Sequence, residues 1–396
     1  MGKKNYLGGN IVEKFHFACL TEIFFGHNCV LEQSAVFRHL GKRAYVVSSK
    51  FPKSVENLAL NDIKTALRKE GIEYEVNDEA QSDPPVESIV KIQRRVMEYN
   101  PDFLISVGGG SAMDTVKAVN MLLKRSNENP YVVLYGDGPR VFTVGGPDDG
   151  ALPIVSVPTT AGTGSEIAGV AVLTRNDINN KAGTNAKSYA TYAFVDSKYI
   201  SSASHYLNCA TALDALCHSI EIYLSKESRC NFMTNMLCEA SFHLFSDFKE
   251  KLLLDTEDAE DYDKQMLFSL LQGIVITNEA TGVPHGMGYP LSYYYHVPHG
   301  MACGMLEGEY LKIFDDQKRV EQMLDLLGFK NVDEFCEYLY AIISPHVKLR
   351  VSTEEIEDWT RIFMKSKWRV DRHPEVLSED KVRSIYRKSF ERFNEP

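Results

Sequence analysis

Asp214, His218, His285 and His299 supply one carboxylate and three imidazoles from two short stretches, TALDALCHSIEIYLS and TGVPHGMGYPLSYYYHVPHGMACGML. That set suits a borderline-hard divalent cation such as Fe²⁺ or Zn²⁺. Asp214 and His218 are four positions apart, a spacing that places both on one face of a helix. His285 and His299 are fourteen apart, with Pro290 and Pro298 between them. Proline interrupts a helix, so a turn is expected to bring this pair together. Either pair alone is equally at home on a helix surface, and the spacing does not by itself make the two stretches meet.

A second chemistry is written in FLISVGGGSAMDTVKAV, which reads strand, three glycines, serine, helix. Gly108, Gly109 and Gly110 lack a Cβ, so backbone N–H groups can close on a phosphate. A helix starting near Ser111 turns its positive end to the same place. The loop has the physical form of a pyrophosphate site although its spacing differs from the GxGxxG of a Rossmann turn; a tight strand–helix turn without ligand is the alternative. Asp114 and Lys117 on that helix either fix the loop or form a surface pair. In SVPTTAGTGSEIAGVAV, Thr159, Thr160, Thr163 and Ser165 follow another strand. Hydroxyls there face a ligand crevice or cap a helix.

The elements needed to hold these groups are legible in outline. RAYVVSS (43–49), DFLISV (102–107) and LPIVSVP (152–158) are short apolar runs of the kind buried parallel strands require. Between them lie LNDIKTALRKEG, ending at Gly71, and VESIVKIQRRVMEYN, with Val86, Ile89, Val90, Val96 and Met97 expected on one stripe. Strand alternating with helix predicts an α/β fold with a mostly parallel sheet. Past about residue 200 the strand-like runs stop and long helical segments follow. Ser352 and Glu355 form a capping box before EEIEDWTRIFMKSK. The expected division is an α/β dinucleotide-binding domain over 1–200 and an all-helical metal-binding domain over 201–396.

Composition narrows the class. An apolar fraction of 44% and a charged fraction of 24% are those of a soluble globular protein. With 54 acidic against 43 basic side chains, the net charge of −11 argues against nucleic-acid or anionic-membrane binding. No run approaches the ~20 apolar residues of a membrane span, and the N-terminal stretch lacks the apolar core of a secretory signal. The eight cysteines show no CxxC pair and read as reduced thiols, making the cytoplasm the expected location. Cys217 adjoins His218 but points elsewhere on a helix.

GGGSAMDTVKA, VPTTAGTGSE, DALCHSIEIYLS and HGMGYPLSYYYHVPHG, in this order, resemble the iron-containing (group III) alcohol dehydrogenase family. The resemblance runs from EIFFG at 22–26 to LSEDKVRSIY at 377–386. It implies an N-terminal α/β domain binding NAD(P), a helical domain holding the metal, and an active site between them. By motif, Asp214, His218, His285 and His299 match the family's metal ligands. Gly109, Gly110 and Ser111 match its pyrophosphate loop, Asp114 a motif aspartate, Thr159 and Thr160 threonines beside the cofactor, with Thr163 in the same motif. Lys181 matches a lysine near the nicotinamide ribose.

Two positions depart from the common pattern. Many members carry a second histidine four residues after the third ligand, where this chain has Tyr289; a branch resembling butanol and propanediol dehydrogenases shares that tyrosine. A phenol can donate a proton, so Tyr289 is the expected proton relay. NAD-preferring members often end the second strand with Asp; here it reads VVSSKFPKS, with Ser49 in that place. Ser49 and Lys50 can accept a 2′-phosphate, which favours NADP(H) over NAD(H). The expected activity is reversible hydride transfer between a small primary alcohol or diol and nicotinamide, dependent on Fe²⁺ or Zn²⁺, in a homodimer or larger assembly. A glycerol-type polyol dehydrogenase and a dehydroquinate-synthase-like lyase are the alternatives. Tyr293, Tyr294 and Tyr295 either line the pocket or pack a helix.

Overall fold

The structure, a computed structural model, describes residues 14–49, 56–136, 141–142, 151–228 and 231–393. Its first half is built on strands β1 (Glu22–Phe25), β2 (Arg43–Ser49), β3 (Glu73–Ala80), β4 (Phe103–Gly108) and β5 (Ile154–Pro158). An antiparallel hairpin of β6 (Val172–Arg175) and β7 (Asn180–Gly183) precedes β8 (Tyr192–Val195). Six of these form one parallel sheet in the order β1-β8-β5-β4-β2-β3. Strands β4 and β5 are buried at every residue, as strands covered by helices on both faces must be.

The covering helices include α1 (Leu58–Lys69), α2 (Val86–Tyr99) and α3 (Gly110–Leu122). On α2 the buried stripe is Val86, Ile89, Ile92 and Val96, whereas Met97 is 47% exposed. Met97 follows Val96 by one residue, which turns it about 100° away from the stripe's centre. The chain winds from β2 to β3 on one side, then crosses to β4 on the other. The connections at the carboxyl ends of β2 and β4 therefore leave in opposite directions, and Ser49 and Gly109 line a cleft at that point.

Among the described residues no strand follows Val195. The second half packs α4 (His205–Leu224), α5 (Phe232–Leu254), α6 (Ala259–Asn278), α7 (Val283–Tyr295) and α8 (His299–Leu311). Around them lie α9 (Lys318–Leu326), α10 (Val332–Ile343), α11 (Thr353–Met364) and α12 (Glu379–Phe393), all sharing one large apolar core. Helix α11 opens with the expected box, Ser352 and Glu355 satisfying each other's backbone N–H. No single helix is long and apolar enough to cross a membrane among the described residues. Pro290 does not interrupt α7, contrary to expectation. The ring removes one backbone donor, and the helix continues to Tyr295; the break comes at His296, in the left-handed region with φ 56°.

The halves meet where the loop after β5 touches α6. Ala161 and Ile167 pack with Met266 and Leu270, and a Cβ built on Gly164 would stand 2.3 Å from the Cα of Gly273. Backbone lies directly on backbone there. Lys117, buried on α3, pins the same loop: its Nζ donates to Ser165 Oγ (2.7 Å), Ala168 O (3.0 Å) and Val170 O (2.6 Å).

Within that loop Glu166 is fully buried, and burial pushes its carboxyl from 4.5 up to about 7. The unfolded chain ionises this group at lower pH than the fold does, so stability falls as pH rises between those values, by on the order of 3 kcal/mol. Glu166→Gln should therefore match the parent near pH 5 and exceed it in stability near pH 8. Denaturant unfolding at both pH values measures the difference.

Candidate metal centre and cofactor cleft

Every residue of α4 from Ala212 to Leu224 is buried, including Asp214, His218 and Glu221. A helix hydrophobic all round explains its position, but not these polar groups. Asp214 and His218 share one face, as their spacing requires. Helix α7 supplies His285 in its first turn, and α8 begins with His299. The two stretches do meet. His285 Nε2 lies 3.6 Å from Asp214 Oδ1, the His218 and His285 rings stack with centroids 4.4 Å apart, and His299 meets His285 edge-on at 5.2 Å.

The close approach of α8 to α4 depends on Gly300. A Cβ at this position would stand 2.0 Å from the Ala210 carbonyl oxygen and 2.5 Å from the Asp214 nitrogen. Any side chain here would force His299 away from Asp214.

Asp214 Oδ1, His218 Nδ1 and His285 Nε2 are buried without a hydrogen-bond partner among the described residues. Orphaned buried polar atoms are costly and rare, and three in one place are what a cation would satisfy. Asp214, His285, His299 and Cys303 each offer a donor atom within 4.8 Å of the others. His218 stands beside that group through its stack on His285. Burial pushes His218 down to about 4 and His299 down to about 3. Both imidazoles are then neutral near pH 7, with a lone pair to offer. Burial alone would raise the Asp214 carboxyl, but His218, His285 and His299 hold it well below the usual carboxylate range. The donor set therefore fits Fe²⁺ or Zn²⁺.

Glu221 holds this arrangement from behind. One of its oxygens accepts from the Gly282 N–H (2.7 Å); the other accepts from the His285 N–H (3.1 Å) and the His285 Nδ1. A carboxylate on the far nitrogen fixes the tautomer and turns Nε2 toward the site. Glu221 lies three residues after His218 on the same face, a position that helix spacing alone can reach. Arg369 had no local signal. It is buried, donates to Gly282 O (3.2 Å) and Tyr289 Oη (3.2 Å), and lies over the Tyr289 ring. The Tyr289 ring stacks on His299 at 5.2 Å.

A cleft of about 1050 Å³ runs from the crevice at β2 and β4 to this cluster, with Asp214 and His299 in its wall. Gly109 caps α3 and Gly110 opens it, so the helix's free N–H groups face the cleft. Ser49, Gly109, Gly110, Ser111, Thr159, Thr160 and Thr163 all line it. Lys50 lies outside the described residues. Lys181, on β7, is buried and pairs with Asp83 (2.7 Å), a residue of the cleft wall. Asp114 is not on the wall. Its carboxylate accepts from Ser165 Oγ (2.6 Å) and the Val172 N–H (2.8 Å), with Lys117 at 2.9 Å. It fixes the loop rather than touching a ligand, because a buried lysine one turn on draws it inward. Tyr293 bonds Asn179, while Tyr294 and Tyr295 pack on Trp359; none of the three lines the cleft.

Glu221→Gln keeps the volume but loses the charge behind His285. The expected result is metal affinity about 10–100-fold weaker with secondary structure intact. Chelator-competition titration beside circular dichroism measures both.

The family models for iron-containing alcohol dehydrogenase and for the C-terminal region of that family match residues 21–197 and 208–390. Sulfoacetaldehyde reductase of Bilophila wadsworthia is 28% identical over 285 residues, 72% of this chain and 70% of that protein. NAD-dependent methanol dehydrogenase of Bacillus methanolicus is 27% identical over 311 residues, 76% and 77% of the two chains. The crystal structure of an iron-containing alcohol dehydrogenase from Thermotoga maritima superposes with a TM-score of 0.83 at 30% identity, covering 95% of this chain and 99% of that one. The glycine loop, the buried carboxylate–imidazole cluster and these matches together make the chain a member of the iron-containing alcohol dehydrogenase family, an oxidoreductase of alcohols and aldehydes linked to NAD(P).

Proposed function

We propose that Asp214, His218, His285 and His299 hold Fe²⁺ or Zn²⁺, and that the cleft presents a nicotinamide cofactor to a small primary alcohol, diol or aldehyde there. The observation that carries this reading is one cavity walled at one end by Gly109–Ser111 and at the other by Asp214 and His299. When bound, the cation supplies Lewis acidity and the nicotinamide supplies or accepts hydride.

The chain's own residues bind, orient and move a proton. Amides at the start of α3, with the hydroxyls of Ser111, Thr159 and Thr160, hold the pyrophosphate. Lys181, paired to Asp83, stands by the ribose. Tyr289, stacked on His299 and hydrogen-bonded to Arg369, carries the exchangeable proton on its phenol oxygen. Ser49, where an acidic side chain would repel a 2′-phosphate, favours NADP(H). Asp78 and Glu79 line the same cleft beside it and work the other way, which makes the cofactor comparison informative. A homodimer or larger assembly in the cytoplasm completes the reading.

Butyraldehyde reduction, followed by nicotinamide absorbance, tests it on anaerobic protein loaded with Fe²⁺ or Zn²⁺ and on chelator-treated protein. Metal-dependent oxidation that is faster with NADPH is the expected outcome. Faster turnover with NADH would discard the Ser49 argument alone. Loss of metal dependence would overturn the ligand assignment. Tyr289→Phe should lower kcat by about 10²-fold and alter the pH profile. An unchanged profile would remove Tyr289 from proton transfer.

A further inference from the structure

The amino end of α4 carries a second group of ligand-type side chains. His205 and Cys209 stand four apart on this helix, with the thiol Sγ 3.4 Å from His205 Nε2. His346, in the turn after α10, brings its ring to 6.0 Å from that of His205. One donor atom from each of the three lies within 4.8 Å of the other two. In a tetrahedral zinc site, with Zn–N about 2.1 Å and Zn–S about 2.3 Å, adjacent nitrogen and sulfur stand about 3.6 Å apart. The His205 Nε2–Cys209 Sγ distance, 3.4 Å, is close to that separation.

The surroundings have the form of a built site. His205 Nδ1 lies 3.2 Å from Asp255 Oδ1, in the turn between α5 and α6. A carboxylate on one ring nitrogen leaves the other to a metal. Glu257, in the same turn, offers a donor atom within 4.8 Å of those of His205 and Asp255. Its Oε1 is buried and has no hydrogen-bond partner among the described residues. Burial pushes the Cys209 thiol up to about 12, and Glu257 and Asp255 add to the shift. A dication at this point acts in the opposite sense, and the thiol releases its proton to solvent as the Zn–S bond forms.

We propose that His205, Cys209 and His346 bind Zn²⁺, with Asp255 orienting His205 and solvent at the fourth position. The set is softer than that of the cleft, since it contains a thiolate. Cys209 precedes Asp214 by five residues on the same helix. The ion therefore ties the start of α4 to the α5–α6 turn and to the turn after α10, and fastens the helix that carries Asp214 and His218. Its role is structural.

Cobalt replacement of the full chain tests this. Protein stripped of metal and reloaded with Co²⁺ should show a thiolate-to-cobalt charge-transfer band. Cys209→Ser should abolish the band and His346→Gln should weaken or abolish it. Cys303→Ser should leave it intact, as should the double variant Asp214→Asn, His218→Gln, which separates this site from the one in the cleft. Zinc content by atomic emission should fall by one equivalent per chain in Cys209→Ser and in His346→Gln. A band that survives Cys209→Ser, or disappears only in Cys303→Ser, overturns the proposal. So does a zinc content unchanged in both Cys209→Ser and His346→Gln. Circular dichroism of each variant separates loss of the ion from loss of the fold.

Discussion

A helix sealed from water on every side cannot carry a carboxylate without hydrogen-bond donors or an opposite charge to answer it. Helix α4 carries two, Asp214 and Glu221, within its fully buried span. Burying an unpaired charge is among the most unfavourable events in a fold. Glu221 is answered by three N–H groups from the start of α7. Asp214 is answered by imidazoles from α4, α7 and α8, and one of its oxygens still has no hydrogen-bond partner. The arrangement of the helical half follows from this demand. Helices α7 and α8 must present their amino ends to α4, and the turn at His296–Pro298 lets them do so in succession.

The α/β half answers a different demand, a backbone-lined place for phosphate. Sheet topology locates it, because winding reverses between β2 and β4. Loop chemistry then shapes it: Lys117 and Asp114 are spent entirely on holding the 159–172 segment against α3. That segment reaches over to α6, so the groups that shape the cofactor end of the cleft also set the seat of the helical half.

Local pattern makes much of this legible in the sequence. The i, i+4 spacing of Asp214 and His218 and the apolar runs of β2, β4 and β5 all depend on near neighbours, and were readable for that reason. So was the capping box at Ser352. Glu221 was equally local, yet a glutamate in a helix is ordinary until its burial is known. The convergence of α4 with α7 and α8 depends on tertiary packing, which the motif resemblance implied and spacing did not. For Asp114 the choice between fixing the loop and a surface pair needed the fold, because its partners Ser165 and Val172 lie more than fifty residues away. Pro290 misled for a related reason: surrounding contacts hold α7 together past a residue that would end an isolated helix. In the Cys209–His346 neighbourhood only the i, i+4 pair His205 and Cys209 is local; His346 joins it from across most of the helical half.

The seat between the halves has a mechanical side. Where Gly164 rests on Gly273, main chain meets main chain, and there are no side-chain rotamers to rearrange. Such a contact neither compresses nor slides easily, so it acts as a fulcrum. The width of the cleft can then change by rocking about this point but hardly by translation. Any change in the angle between the halves would be larger far from this contact than beside it.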